Sequence, residues 1–168
     1  MIYFLRHCDK TAKAADAPLS ALGVQQAEAL VAPLAKLGIE RIISSPYLRA
    51  QQSALPFAKS AGLPLETNKA LAEWRLSEAP RDDWKQVLAR GLANPDIAAK
   101  GGESAKAVWA RAQHVITQTV PTLLVTHGGW LTIALSHFGR EASVANLLKI
   151  QSPDLFSIGP EGIKQHEF

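Results

Sequence analysis

Short apolar segments alternate with longer amphipathic ones along this chain, and this alternation restricts its fold more than any other feature. Residues 2–5, 39–44 and 122–126 are too short for buried helices and are typical of buried strands. Residues 20–37 carry an apolar stripe at helical spacing, and Ser20 is a favourable N-cap residue. Strands separated by helices predict an α/β fold, a three-layer αβα sandwich around a mostly parallel sheet.

The rest of the chain fits the same pattern. Residues 63–81 are the least regular part, and they follow a helix in which Pro56 is expected to cause a bend. The last residues are typical of a β-hairpin that turns at Pro160–Gly162. Further helices are predicted at 47–61, 82–93, 104–118, 129–138 and 142–148.

Length and composition predict a single domain that spans residues 1–168. The chain is 47% apolar and 20% charged, which is typical of a globular protein with a sizeable core. No apolar run reaches the ~18 residues of a membrane span, and no secretory signal pattern is visible. Cys8 is the only cysteine, so no internal disulfide is expected, which suits the reducing cytoplasm.

The charge pattern limits the expected partners. The net charge is +3, and lysine and arginine form no continuous basic block, so neither nucleic acid nor a membrane is expected as a partner. A slight positive excess suits a small anionic substrate equally well. These observations leave the oligomeric state open.

Basic and potentially reactive side chains follow three of the predicted strands. Arg6 and His7 come after the first strand, Arg49 lies shortly after the second, and His127 and Gly128 follow the strand at 122–126. In parallel sheets, ligands bind outside the carboxyl ends of the strands, so these side chains are expected to meet at one edge. Arginine forks match phosphate oxygens, and amides at helix starts add donors. The sequence therefore predicts an anion site.

The same residues predict phosphoryl transfer. A neutral imidazole is a competent nucleophile, which makes His7 the candidate for attack on phosphorus. Charge that spreads over the phosphoryl oxygens would be stabilised by Arg6, Arg49 and His127. Because these groups supply positive charge, neither a metal ion nor another cofactor is expected.

Several sequence blocks resemble, in the same order, those of the histidine phosphatase superfamily, the phosphoglycerate mutase-like proteins. The segment LRHCDKT is similar to the Arg-His-Gly signature of that family, and SSPYLRAQQSA to its second arginine block. The resemblance covers nearly the whole chain and is nearest to the small α-ribazole phosphatases and phosphohistidine phosphatases. The remaining similar blocks are PLSALGVQQAEAL, LAEWR, GGES and LLVTHGGW.

This resemblance implies a fold and a set of roles. The fold would be phosphoglycerate mutase-like, His7 would become phosphorylated, and Glu73 would donate a proton to the leaving group. A second group of residues would bind the phosphoryl moiety: Arg6, Arg49, His127 and Gly128. Apart from the resemblance, we expect three further residues to contact the rest of the substrate: Lys10, Trp74 and Arg75.

Three features depart from the family pattern: Cys8, Lys10 and the segment after Glu73, which is short and lacks the usual glycine. Cys8 replaces the usual glycine, and we interpret it as a small packed residue rather than as a nucleophile. A cysteine-phosphatase loop is not expected, because the residue six positions beyond Cys8 is Ala14 and not arginine. Lys10 replaces a threonine that many members have, a difference that concerns the substrate rather than the phosphate site.

Competing assignments exist for several residues. Four other carboxylates are alternatives to Glu73 as the acid: Glu78, Asp82, Asp83 and Glu103. A zinc site formed by His7, Cys8 and His127 is conceivable by ligand type, but the neighbouring arginines would repel the metal. Among the tryptophans, Trp84 and Trp109 fit helix stripes and are predicted to be core residues. Two that flank motif residues are predicted to shape the pocket: Trp74 and Trp130.

The leading expectation is a metal-independent phosphatase that hydrolyses a small phosphomonoester through a phosphohistidine. Three alternatives stay open: a phosphohistidine (protein) phosphatase, a phosphomutase and a non-catalytic phosphate-binding module. A binding module would need Arg6 and Arg49 but not His7 and Glu73, so their joint presence favours catalysis.

Overall fold

A computed structural model describes residues 1–168 and contains one six-stranded sheet of strand order β3-β2-β4-β1-β5-β6. The pairs β1–β4, β2–β4 and β2–β3 are parallel, whereas β1–β5 and β5–β6 are antiparallel. The predicted mostly parallel sheet is therefore confirmed, with the C-terminal hairpin as its antiparallel part. The strands are β1 Ile2–Arg6, β2 Arg41–Ser44, β3 Leu65–Thr67, β4 Thr122–Thr126, β5 Asp154–Gly159 and β6 Gly162–His166.

Helices cover both faces of the sheet and form the expected three layers. Helices α1, α2 and α3 supply buried residues to the core on one face, and α4, α5, α6 and α7 supply those on the other. A single-turn 3₁₀ helix, Lys69–Leu71, follows β3. The α-helices are α1 Ala21–Ala29, α2 Val31–Ala35, α3 Leu48–Ala61, α4 Trp84–Ala93, α5 Ala105–Ile116, α6 Gly128–Ser136 and α7 Val144–Lys149.

The side chains of β1 alternate between the two cores. Phe4 packs in the core on the α5–α6 side, while Tyr3 and Leu5 pack in the core on the α1–α3 side. Successive side chains of a strand point to opposite faces, so a strand covered on both faces needs an unbroken apolar run. This is why the N-terminal segment lacks the apolar–polar alternation of a half-exposed strand.

Helix starts agree with the sequence more closely than helix lengths do. The hydroxyl of Ser20 accepts a hydrogen bond from the amide of Gly23, so Ser20 caps α1 as predicted. The predicted helix over 20–37 is divided at Leu30 into α1 and α2. Pro33 explains the division, because it lacks the N–H that would bond the carbonyl of Ala29.

The segment 63–81 contains more structure than the sequence predicts. β3 pairs with β2 at the edge of the sheet over only three residues, with Ile42 opposite Leu65. A three-residue strand carries too little periodicity to be recognised in a sequence. Elsewhere, no helix combines the length and the apolar character needed to cross a membrane.

The parallel register brings three strand ends together. The amide of His7 donates to the carbonyl of Thr126 at 3.0 Å, and the amide of Ser45 donates to the carbonyl of Val125 at 2.8 Å. The residues directly after β1 and β2 are therefore both hydrogen-bonded to the end of β4, which lies between these two strands. This sheet edge is where the predicted site residues meet.

Candidate active site

His7 lies directly beyond β1 and is 2% exposed. Its Nδ1 is 2.7 Å from the carbonyl oxygen of Cys8, so Nδ1 carries the proton and donates it. Burial, together with the nearby cations Arg49 and Lys10, lowers the pKa of His7 to about 3, despite the opposing effect of the Cys8 carbonyl. His7 is therefore neutral near pH 7, with a lone pair on Nε2.

Arg49 points its guanidinium at that lone pair. Its position in the first turn of α3 lets Nε donate to Nε2 of His7 at 3.2 Å. Nη1 donates to the carbonyl of Ala14 at 2.7 Å, and the guanidinium lies 4.9 Å from the ring centre of Tyr47. These contacts fix a buried cation beside the candidate nucleophile.

Arg6 supplies a second buried cation at the end of β1. Its Nη1 donates to the carbonyl of Ile150, whereas its buried Nε has no hydrogen-bond partner in the protein. A Cβ atom at Gly128 would lie 3.2 Å from Cζ of Arg6, so glycine lets the start of α6 approach this guanidinium closely. Arg6 and the backbone of Gly128 thus lie together, as predicted.

His127 occupies the N-cap position of α6, without a capping bond from its side chain, and is fully buried. Its ring centre lies 5.1 Å from that of His7, and its Nδ1 is 3.4 Å from Nη2 of Arg49. Burial, followed by the proximity of His7 and the cations, lowers its pKa well below the usual value. His127 therefore lies beside His7 and Arg49, as the sequence predicts.

Two residues that orient His127 had no role in the sequence analysis. The hydroxyl of Ser45 lies 2.7 Å from Nε2 of His127, and the ring of Tyr47 packs edge-on against the imidazole at 4.8 Å. Both residues come from the segment between β2 and α3, next to Arg49. Two signals pointed to them: their position at a strand end and their place in the segment SSPYLRAQQSA.

Glu73 reaches the same site from the chain between β3 and α4. Its Oε1 accepts hydrogen bonds from the amides of Trp74 at 2.8 Å and Trp130 at 2.9 Å. Its Oε2 accepts a longer bond, 3.3 Å, from the amide of Gly129. The carboxyl group is therefore held at the N-terminus of α6, where carboxylates are favourable. A Cβ at Gly129 would lie 2.8 Å from Oε1, so glycine is required for this fit.

A cleft of about 730 Å³ opens onto these groups. Its wall contains two carboxylates, Glu73 and Glu78, against a larger set of cations. This imbalance favours an anionic occupant. The cations are Arg6, Lys10, Lys13, Arg49, Arg75 and Arg81.

The three residues expected to contact substrate all line this cleft. Lys10 is half-buried, and burial with the nearby Arg49 and Arg6 lowers its pKa. Trp74 is buried and donates from Nε1 to the carbonyl of Glu103 at 2.9 Å, which fixes the indole as a rigid wall. Arg75 is exposed at the opening.

The positions of two tryptophans differ from those predicted. Trp84, predicted to be a core residue, packs against the core but is only partly buried; it also lines the cleft, where the ammonium of Lys13 lies 5.7 Å from the centre of its ring. Trp130 is fully buried, and its Nε1 donates to the carbonyl of Ala70, so its indole does not reach the cleft. Its backbone amide nevertheless binds Glu73. Helical spacing predicts which residues share a face of α4, but the element that packs against this face depends on the tertiary structure.

The structure does not assemble the alternative zinc site. Cys8 is fully buried and packs in the core on the α1–α3 side, while His7 lines the cleft and the imidazoles of both His7 and His127 contact Arg49. No group of three or more histidine, cysteine or acidic side chains is placed to hold a metal ion.

The alternative acids are placed less favourably than Glu73. Asp83 forms a surface ion pair with Arg81, and Asp82 is exposed. Glu78 lines the cleft, but its side chain is 71% exposed. Glu103 pairs with Arg111 outside the cleft wall.

The family comparison agrees with this arrangement. The model of the histidine phosphatase superfamily (branch 1) matches residues 2–159. The chain belongs to this superfamily. The matched range contains all the strand ends described above and both histidines. The family resemblance predicted from the sequence is therefore confirmed. Because this superfamily consists of phosphatases and related enzymes, the chain is an enzyme.

Relatives of this histidine phosphatase include enzymes of more than one kind. The probable phosphoglycerate mutase GpmB of Yersinia pestis is 28% identical over 92% of this chain and 82% of its own. Phosphoglycerate mutase from Thermus thermophilus has a TM-score of 0.74 and 22% identity, covering 99% of this chain and 98% of its own. A mycobacterial glucosyl-3-phosphoglycerate phosphatase with inorganic phosphate has a TM-score of 0.72 and 24% identity, covering 98% and 93%. The structures share the fold.

We expect Cys8→Ala to retain most of the phosphatase activity, because the thiol packs in the core and does not line the cleft. Burial raises the pKa of this thiol to about 11, so it stays protonated and resists alkylation in the folded protein. Steady-state rates and the rate of iodoacetamide labelling check both points. Loss of activity in Cys8→Ala with unchanged thermal stability would contradict this interpretation.

Proposed function

We propose that this histidine phosphatase is a metal-independent phosphomonoester hydrolase that forms a phosphohistidine on His7. The observation that carries the proposal is the arrangement of His7. Its Nδ1 is bound to the Cys8 carbonyl, and its Nε2 lone pair faces a buried arginine. A neutral imidazole held in one tautomer is ready to attack phosphorus.

The proposed reaction has two steps. In the first, Nε2 of His7 attacks phosphorus, the bond to the leaving oxygen breaks, and Glu73 protonates that oxygen. In the second, water attacks the phosphohistidine, the bond between phosphorus and Nε2 breaks and phosphate is released, while the proton lost by water returns through solvent to restore protonated Glu73. Arg6 and Arg49 bind the phosphoryl oxygens in both steps.

His127 and Gly128 complete the proposed phosphoryl site. The amide of Gly128 lies at the start of α6, where backbone donors and the helix dipole favour an anion. His127 lies beside both His7 and Arg49, within reach of a group bound between them.

The two oxygens of Glu73 are suited to different tasks. Oε1 already accepts two short amide hydrogen bonds, so it must act as the carbonyl-type oxygen when the group is protonated. Oε2 has one long contact and is the oxygen that carries the proton.

We infer that the substrate is a small phosphorylated molecule with additional negative charge. Lys10, Lys13 and Arg75 line the cleft and form no ion pair with a carboxylate. A cleft of this volume accommodates a metabolite-sized ligand. A cytoplasmic location suits such a substrate and keeps the thiol of Cys8 reduced.

A phosphomutase is the second candidate function, favoured by the name of the Yersinia relative. Both reactions share the first step and differ in the acceptor, which is water in a phosphatase and a substrate hydroxyl in a mutase. The two functions are therefore distinguished by whether phosphate or an isomerised phosphoester is released.

The experiment that tests the function is a panel of phosphorylated metabolites assayed for phosphate release. We expect turnover of at least one anionic phosphomonoester, unchanged by EDTA, because the arginines supply the charge that a metal would otherwise provide. Matched reactions without the chelator serve as the control. Activity that EDTA abolishes and a divalent metal restores would overturn the metal-independent mechanism, and isomerised product without phosphate release would favour the mutase.

A further inference from the structure

The backbone that carries Glu73 converges on one side chain of α5. Arg111 donates from Nη1 to the carbonyls of Ala70 at 2.7 Å and Ala72 at 2.8 Å. Its Nη2 donates to the carbonyl of Glu73 at 3.2 Å. Three carbonyls within four residues, from the 3₁₀ helix to the irregular chain at Glu73, thus accept hydrogen bonds from one guanidinium. The irregular part has no ladder of its own to hold it.

Glu103 completes this connection. It accepts from Nε of Arg111 at 3.0 Å and from Nη2 at 3.1 Å, so the two form a bidentate pair. Its Oε2 also accepts from the amide of Arg75 at 3.1 Å, and its carbonyl accepts from Nε1 of Trp74. Both side chains are only about one-fifth exposed, 21% for Arg111 and 23% for Glu103.

All five guanidinium donors of Arg111 are therefore used within the protein. Arg111 has no donor left for a substrate, and it does not line the cleft. Its contacts serve the placement of the segment 70–75 instead.

Gly102, which precedes Glu103, also helps to fix the segment that carries Glu73. A Cβ at Gly102 would lie 2.4 Å from the carbonyl oxygen of Leu76 and 3.0 Å from that of Arg75. Only glycine lets the two segments approach closely enough for the amide of Glu103 to donate to the carbonyl of Arg75 at 2.7 Å. The Gly-Gly-Glu-Ser block thus fits against the segment that carries Glu73.

Glu73 is consequently held from two sides. The amides at the start of α6 bind its carboxyl oxygens, and Arg111 binds its backbone. A catalytic acid works only when its proton points at the leaving atom, and a displacement of about 1 Å can cost ~10²-fold in rate. The fork geometry of arginine matters here, because lysine has a single point of charge and cannot reproduce five directed bonds.

We propose that Arg111, together with Glu103, is a positioning residue that sets the acid function of Glu73. The proposal rests on the proposed function of Glu73 as proton donor. It assigns to the Gly-Gly-Glu-Ser block and to α5 a role in leaving-group protonation, although neither contacts the reacting phosphoryl group.

The test compares two substrate classes in Arg111→Met. An alkyl phosphate needs a proton on its leaving oxygen, whereas p-nitrophenyl phosphate has a good leaving group. We expect kcat for the alkyl phosphate to fall about 10²-fold, the cost expected of a displaced acid. We expect the rate with p-nitrophenyl phosphate to change by less than about threefold, and the burst of phosphohistidine to persist.

Two further variants keep the test decisive. Arg41→Met is the matched control, because Arg41 also forms a two-point pair with a carboxylate, Glu66, but this pair neither lines the cleft nor binds the backbone of Glu73. It should leave both substrate classes unaffected. Arg111→Lys keeps the charge and is used if Arg111→Met does not fold. It should also lower kcat selectively for the alkyl phosphate, but by a smaller factor.

A double variant separates positioning from general destabilisation. Arg111→Met should add little to the loss caused by Glu73→Gln with alkyl phosphates, because both changes remove one function. Equal losses with both substrate classes, or losses that multiply in the double variant, would overturn the proposal. A wild-type enzyme that forms no phosphohistidine from p-nitrophenyl phosphate would refute the proposed function instead, so the two failures are distinguishable.

Discussion

Replacing His7 with alanine is expected to abolish phosphate release from every phosphomonoester, with a loss on the order of 10⁴- to 10⁶-fold in kcat. The reason is that the neighbouring groups stabilise charge but none can form the covalent intermediate. Arg49 and His127 should still bind inorganic phosphate in the variant, so the loss should fall on kcat. Initial rates with p-nitrophenyl phosphate check this, with binding of phosphate measured separately.

A trapping experiment identifies the nucleophile directly. Quenching the wild-type enzyme during turnover of a labelled phosphoester should leave acid-labile, base-stable label on His7. His114→Ala is the matched control, because His114 is an exposed histidine on α5 and should change neither the label nor the rate. Label on Cys8, or unchanged turnover in His7→Ala, is incompatible with the mechanism.

The second large effect concerns Glu73→Gln. We expect alkyl phosphates to be slowed by ~10²–10⁴-fold, the usual contribution of a positioned general acid. The rate with p-nitrophenyl phosphate should change far less, because nitrophenolate leaves without protonation. Glutamine keeps the acceptor oxygen for the amides of Trp74 and Trp130, so the variant removes the proton while keeping the packing.

Phosphohistidine is the informative third substrate for this variant. Its leaving nitrogen can arrive already protonated, so it should also be insensitive to Glu73→Gln. Glu78→Gln is the control, because Glu78 lines the same cleft but is largely exposed, and its rates should equal those of the wild type. If all three substrates slow equally in Glu73→Gln, then Glu73 binds substrate or supports structure and the acid lies elsewhere. If none slows, the enzyme acts without a donor, which favours the phosphohistidine phosphatase alternative.

The order of elements and the gathering of His7, Arg49 and His127 at one sheet edge were predictable from the sequence. Both depend on short-range information: apolar runs that need burial on two faces, and the rule that parallel strands end at the same edge. The start of α1 was predictable for the same reason, because Ser20 bonds an amide only three residues away. The division of the predicted helix at Leu30 was also readable in principle, since Pro33 is a local signal.

The role of Glu73 as proton donor was predicted from the family motifs, but these motifs did not indicate which residues bind its carboxyl group and its backbone. Its carboxyl group is bound by amides of α6, which are 56 and 57 residues further along the chain. Its backbone is bound by Arg111, 38 residues away on a helix whose apolar spacing gives an arginine no special meaning. The same limit explains why the predicted positions of Trp84 and Trp130 differ from those in the structure. Helical spacing shows which residues share a face of a helix, but not which element packs against that face.

Sequence alone therefore determined the α/β architecture, the strand-end residues of the anion site and the family to which they belong, because these follow from periodicity and from motifs of a few residues. Only the tertiary structure decided the tautomer of His7, the contact of Ser45 with His127 and the two-sided support of Glu73. These are directed hydrogen bonds between elements far apart in the chain. Their geometry is set by how the layers pack, which no local pattern of residues encodes.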